Sequence, residues 1–135
     1  MTNFKFSMPI QPRYGDFDML GHLNNATYLT YFEVARLNYF IEIGWDLLDV
    51  SNVVAHFDIE FLKPILPKTN VICSTKTTSL GNKSFKMEYE LASANNEILY
   101  STGHSVQVCF DKKTARPIDI PQNIRELITR YDKLW

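Results

Sequence analysis

The sequence is poor in the residues that staple or interrupt a chain. Two cysteines in 135 residues, Cys73 and Cys109, are too few and too far apart for a disulfide framework or a zinc site. Each sits in an apolar, strand-like run and reads as a reduced core thiol. Six prolines and five glycines leave few breaks and favour long elements over a loop-rich scaffold. Excess charge is missing as well: 14 basic residues stand against 15 acidic ones, for a net charge of −1. That removes the electrostatic footprint of a dedicated nucleic-acid binder and any large steering field. No apolar run approaches the ~20 residues of a membrane span, and the start, MTNFKFSMPI, lacks a basic segment followed by an unbroken apolar one. A cytoplasmic location is the expectation. Three histidines, His22, His56 and His104, are scattered without a His-x-x-x-His pairing, so no metal and no cofactor are expected. There is no repeat, low-complexity tract or linker, and one domain over residues 1–135 is expected, burying roughly two-thirds of its unfolded surface. What the chain has in quantity is aromatic residues: nine Phe, seven Tyr and two Trp, 13% in all.

Hydropathy patterning divides the chain into elements. Phe4, Phe6, Met8 and Ile10 alternate with Lys5, Ser7 and Pro9 as in a half-buried strand, and Pro9 and Pro12 confine it to an edge or end it early. An irregular stretch, residues 13–25, leads into a helix over residues 26–43. Asn24 or Asn25 caps it, and Gly44 suits its end. Apolar residues recur there at spacings of three and four, and Leu29, Val34 and Phe40 widen the stripe until the helix reads as largely buried. Four antiparallel-type strands follow. The first places Val53, Ala55, Phe57, Ile59 and Phe61 on one face and His56 on the polar one. Residues 70–80 carry Val71, Cys73 and Thr75 on one face. A Gly81-Asn82 turn then leads to Phe85, Met87, Tyr89 and Leu91 in phase. In the last, Tyr100, Thr102, His104, Val106, Val108 and Phe110 share a face, which makes His104 a core histidine. Residues 111–116 turn, and Pro121 opens a short C-terminal helix. A helix of about 27 Å matches strands of roughly 30–43 Å. The expected class is therefore α+β: one long central helix wrapped by a twisted antiparallel sheet of about five strands. Such a sheet leaves long edges that a second copy could cover.

Chemistry concentrates in residues 13–25, where Asp16 and Asp18 lie in a loop feeding a helix N-terminus. Free N–H groups of a first helical turn can polarise a carbonyl, and a carboxylate beside them can serve as general base or nucleophile. Read on loop chemistry alone, both aspartates serve as well as turn residues satisfying local backbone N–H groups.

The whole pattern, Tyr14-Gly15-Asp16-x-Asp18-x-x-Gly21-His22-x-Asn24-Asn25-x-x-Tyr28 followed by Phe32-Glu33-x-Ala35-Arg36, resembles the signature of the hotdog-fold acyl-CoA thioesterases, most closely the 4-hydroxybenzoyl-CoA thioesterase-like branch. Phe61-x-x-Pro64 and Gly81-Asn82-Lys83-Ser84-Phe85 fit the same family, and the element order matches. The resemblance implies that Asp18 is the catalytic aspartate and that the backbone N–H of Asn25 polarises the thioester carbonyl. It places Tyr28 beside the acyl group, His22 in the shaping of the active loop, and Lys83 and Ser84 against the nucleotide and phosphate of CoA. His56 is expected either to line the acyl or pantetheine channel or to be solvated. The implied reaction is hydrolysis of a fatty or aromatic acyl-CoA to free acid and CoA by a homodimer or homotetramer. Alternatives are an acyl-carrier-protein (ACP) thioesterase, a hotdog dehydratase or hydratase, and a non-catalytic acyl-thioester binding module.

Overall fold

The computed structural model describes residues 3–134. Strand β1 (Phe6–Ile10) leads through a 3₁₀ turn (Tyr14–Asp16) to helix α1 (Asn25–Ile43). Strands β2 (Val50–Phe61), β3 (Val71–Leu80), β4 (Ser84–Ser93) and β5 (Leu99–Asp111) follow, then the two-residue β6 (Arg116–Pro117) and helix α2 (Gln122–Asp132). All strand pairs are antiparallel, in the order β1-β3-β4-β5-β2, with β6 beside β5. The expected α+β layering holds, with a short sixth strand where only a turn was expected.

Local chemistry sets the bounds of α1. The Asn24 side chain accepts the Ala26 N–H at 3.0 Å and caps the start. Gly44 adopts φ 96°, a left-handed conformation that glycine takes without penalty. Its N–H reaches Ile41 O and that of Trp45 reaches Phe40 O, closing the helix end.

The helix lies on one face of the sheet and buries Tyr28, Phe32, Ala35, Tyr39, Phe40 and Ile43 there. Leu29, Val34, Leu37 and Ile41 are exposed, so α1 is less enclosed than its apolar circumference suggests. The same face of the sheet carries Val71, Cys73 and Thr75 of β3 and Phe85, Met87, Tyr89 and Leu91 of β4, all buried. Strand β5 reverses expectation. Its helix-facing residues are Gly103, Ser105, Gln107 and Cys109, which are buried, while His104 is exposed on the outer face with Thr102, Val106 and Val108. The reason is steric. A Cβ on Gly103 would come within 3.0 Å of Phe57 and 3.2 Å of Phe32, so the rings of α1 and β2 fill the space that a large β5 residue would need. In β2 the register slips between Val54 and His56. This bulge puts Val53 opposite Val108 on the outer face while Phe57, opposite Ser105, and Ile59, opposite Gly103, stay on the inner one.

Buried hydroxyls are paired across this layer. The Tyr89 hydroxyl meets Ser105 Oγ at 2.7 Å and accepts from Arg36 Nη1 at 3.3 Å. The Tyr39 hydroxyl donates to Asp132, which also accepts the Thr77 N–H at 3.0 Å and so fastens α2 to α1 and β3.

Replacing Gly103 by Val puts branched carbon into the Phe32–Phe57 stack, whose centroids are 5.7 Å apart. Overpacking of this kind costs about 1–3 kcal/mol, expected as an earlier urea midpoint with an unchanged slope.

Candidate active site

The loop between β1 and α1 folds back on itself. Asp18 N–H donates to His22 O at 2.8 Å, Leu23 N–H to Ile65 O at 2.9 Å and Asn24 N–H to Asp16 O at 2.9 Å, and Phe17 bridges Leu23. The two aspartates of the motif thereby receive opposite environments. Asp16 is 4% exposed. Its Oδ2 accepts the Tyr31 hydroxyl at 2.6 Å and the Arg13 N–H at 2.8 Å, and its Oδ1 meets Arg13 Nη2 at 3.1 Å. Burial opposes its charge, but the hydrogen bonds from Tyr31 and Arg13 outweigh it and hold the carboxyl below the ordinary aspartate range. Asp18 is exposed. Its Oδ1 accepts the N–H groups of Leu20 at 2.9 Å and His22 at 3.1 Å, while Oδ2 has no partner among the described residues. The turn role and a free carboxylate oxygen coexist in one side chain.

Asp18, His22, Asn25 and Tyr28 line one cleft of about 420 Å³, with Phe61, Leu62, Lys63 and Pro64 as the facing wall. In the first turn of α1 the Ala26 N–H is taken by the Asn24 side chain and the Thr27 N–H by Asn24 O. Among the described residues the Asn25 N–H has no acceptor, leaving a free donor at the positive end of the helix. Tyr28 is buried, its ring edge-on to Phe61 at 4.9 Å, and burial raises its phenol pKa. A second, larger hollow of about 810 Å³ lies against the same loop and also reaches Asp18, lined by Tyr14, Phe17, Met19 and Lys68 among others. No residue of α1 borders it, so of these two hollows the cleft at the helix start is the one that combines a carboxylate with the α1 donor.

Other candidates lie elsewhere. His56 is outside the cleft, on the outer face of the sheet, with Nε2 3.3 Å from Asp58. The expectation of a core His104 is corrected: it is 57% exposed, between Asp58 at 3.4 Å and Glu88 at 3.6 Å, because β5 turns its small residues toward the helix. Among the described residues no group of three or more His, Cys, Asp or Glu side chains is gathered to hold a metal ion, and no helix is long and apolar enough to cross a membrane. Lys83 and Ser84 occupy the opposite end of the sheet. Phe61 pairs with Ser101 and Ser101 with Leu91, and Ser84 lies about 24 Å further along β4 at about 3.4 Å per residue. Lys83 is paired there with Asp119 at 3.1 Å. The cleft wall, residues 61–64, is visible in the sequence as the family-like Phe61-x-x-Pro64, but nothing in that spacing assigns it to the site.

Known proteins resemble the chain in sequence and in fold. Residues 12–128 match the model of the thioesterase-like superfamily. A thioesterase from Thermus thermophilus, solved with coenzyme A and Zn, is 34% identical with a TM-score of 0.88, over 98% of each chain. YsmA of Bacillus subtilis, an uncharacterized protein, is 26% identical over 129 residues, 94% of this chain and 87% of its own. A 1,4-dihydroxy-2-naphthoyl-CoA thioesterase from Synechocystis, 19% identical over 94% of this chain and 97% of its own, shares the fold with a TM-score of 0.83. The chain belongs to the thioesterase-like superfamily: it is a thioester hydrolase with the hotdog fold.

The Asp16 carboxylate gives an acid limb to stability. Its folded pKa lies below the unfolded value of 3.8, so its contribution is complete above that value and is lost as pH falls through the folded one. Asp16→Asn is expected to be less stable than the parent at neutral pH, by about 1–3 kcal/mol. Urea titrations at several pH values should show the gap closing below the ordinary aspartate range.

Proposed function

We propose that the protein hydrolyses acyl-CoA thioesters in the cleft at the start of α1. The observation that carries this reading is one cleft whose walls hold the Asn25 N–H and an Asp18 oxygen, both without a partner among the described residues. The carbonyl oxygen of the thioester accepts the Asn25 N–H, and the helix dipole stabilises the negative charge that develops there. Asp18 then acts by one of two balanced routes. As general base it takes a proton from water, whose oxygen attacks the carbonyl carbon as the C–S bond breaks. As nucleophile it forms a mixed anhydride with departure of CoA thiolate, and water cleaves the anhydride to release the acid. Either way the thiolate takes up a proton. Tyr28 packs against the acyl group and His22 shapes the rim. The Thermus relative, solved with coenzyme A, supports CoA as the thiol.

The cleft lies at the end of β2, a twelve-residue edge strand with exposed Val53, Val54, Ala55 and His56. A long unpaired edge is ordinarily covered, and antiparallel pairing of β2 with a second copy reverses the ends of the sheet. That brings the Lys83–Ser84 turn of one copy toward the Asp18 cleft of the other, where its cation and hydroxyl can meet the CoA phosphates. We therefore propose a homodimer or a tetramer of such dimers. Light scattering on a sizing column should give at least twice the monomer mass; an active monomer contradicts the assembly.

Two substitutions test the chemistry by thiol release from a panel of acyl-CoAs. Asp18→Asn keeps the turn acceptor but removes the base or nucleophile, and turnover should fall by about 10²-fold or more. Asn25→Pro deletes the free N–H at the first helical position, where proline is tolerated; a loss of about 10²–10³-fold in kcat is expected. A nearly active Asp18→Asn protein would sink the assignment.

A further inference from the structure

Among the described residues Asp18 has no side-chain anchor outside its own loop, since its two hydrogen bonds go to Leu20 and His22. Its position relative to the helix start is therefore set by whatever holds the base of that loop. Asp16 stands at this base and makes two kinds of connection to α1. Its backbone carbonyl accepts the N–H of Asn24, the residue directly before the free Asn25 donor. Its side chain accepts the Tyr31 hydroxyl, further along the same helix. Arg13 closes the arrangement from the β1 side through its N–H and guanidinium. Both Asp16 oxygens are occupied, and the side chain is not part of the cleft wall. It cannot touch substrate, yet it fixes where two groups that do touch it stand relative to one another.

We propose that Asp16, gripped by Tyr31 and Arg13, is a positioning residue for thioester hydrolysis, holding the Asp18 carboxylate in register with the Asn25 N–H. The inference rests on the reading of Asp18 as base or nucleophile. Attack on a carbonyl carbon is steeply sensitive to placement, and a shift of about 1 Å can cost about 10²-fold in rate. The Leu23–Ile65 backbone bond still tethers the far side of the loop when the Asp16 grip is lost. The loop then tilts rather than unfolds, and the cleft walls that bind the substrate persist.

The test uses Asp16→Asn and Tyr31→Phe, each in the parent and in the Asp18→Asn background, with folding checked by circular dichroism at the assay temperature. Tyr31→Phe is the milder variant, because it removes one donor and leaves the carboxylate with Arg13. In the parent background kcat should fall about 10–100-fold for Asp16→Asn and less for Tyr31→Phe. KM and the calorimetric affinity for CoA should stay within about threefold of the parent, as for a group acting only on the reacting geometry. In the Asp18→Asn background neither substitution should lower the residual rate further, since the residue acts through Asp18. Equal fold-losses in both backgrounds, a rise in KM at unchanged kcat, or full activity of Asp16→Asn beside an inactive Asp18→Asn overturns the proposal alone. Full activity of Asp18→Asn overturns the reading of the site and this inference with it.

Discussion

The seating of an aromatic helix in the curve of a single sheet is the constraint on which the remaining structure depends. Phe32, Tyr39 and Phe40 are almost fully buried in that layer. Interiors are packed to crystal-like density, so ring bulk on one side must be met by small groups on the other. Gly103, Ser105, Thr75 and Thr77 supply them. Small residues in strands that must also pair are often hydroxylated, and a buried hydroxyl needs a partner. The Tyr89–Ser105–Arg36 and Tyr39–Thr77–Asp132 groupings follow from this packing requirement. The second of them holds α2, so the C-terminal helix is tied to the same layer.

How much of this was legible in the sequence depended on whether a strand faced the helix with large residues or small ones. In β3 and β4 the apolar alternation and the buried face coincide, and Val71, Cys73, Phe85, Met87, Tyr89 and Leu91 sit where the pattern put them. In β5 they diverge. Val106 and Val108 look like a core face, but the core side is the one with Gly103 and Ser105. A hydropathy pattern records the size and polarity of a strand's own side chains and is silent about rings arriving from another element. The same blindness misplaced His104, and the bulge after Val54 broke the simple alternation of β2. For α1 the Gly44 end and an asparagine cap at 24 or 25 are local chemistry legible in the sequence, and the structure selects Asn24, whereas the exposure of Leu29, Leu37 and Ile41 depends on what the sheet leaves uncovered.

The site was legible in a similar, partial way. Spacing located the loop and the helix start. It could not separate the two aspartates physically, because both are short carboxylates in one glycine-flanked loop. Three donors converge on Asp16 and only its own loop converges on Asp18. That difference arises from Arg13, three residues earlier in the same stretch, and from Tyr31 on the helix, which only folding brings to Asp16. The resemblance already names the Asn25 N–H, and the structure supplies the physical reason that it stands free among the described residues. Asn24 takes up the N–H groups of Ala26 and Thr27 and leaves that of Asn25, so the cap residue selects which donor remains for a ligand.

The cleft and the open edge of the sheet are one continuous surface. Phe61 ends the edge strand β2, is half exposed, and stacks edge-on against Tyr28 inside the cleft. Leu62 and Lys63, which follow it in the wall, are tied back by their N–H groups to Tyr100 O, so the wall is an extension of the β2–β5 pairing. A rigid wall on one side and a loop held from its base on the other give the cleft two independently supported faces. Only the loop face carries the Asp18 carboxylate. On the proposed reading, the precision of the site resides in the few hydrogen bonds that join this loop to the start of α1 and to Tyr31, and the large aromatic core serves it by keeping the helix start fixed.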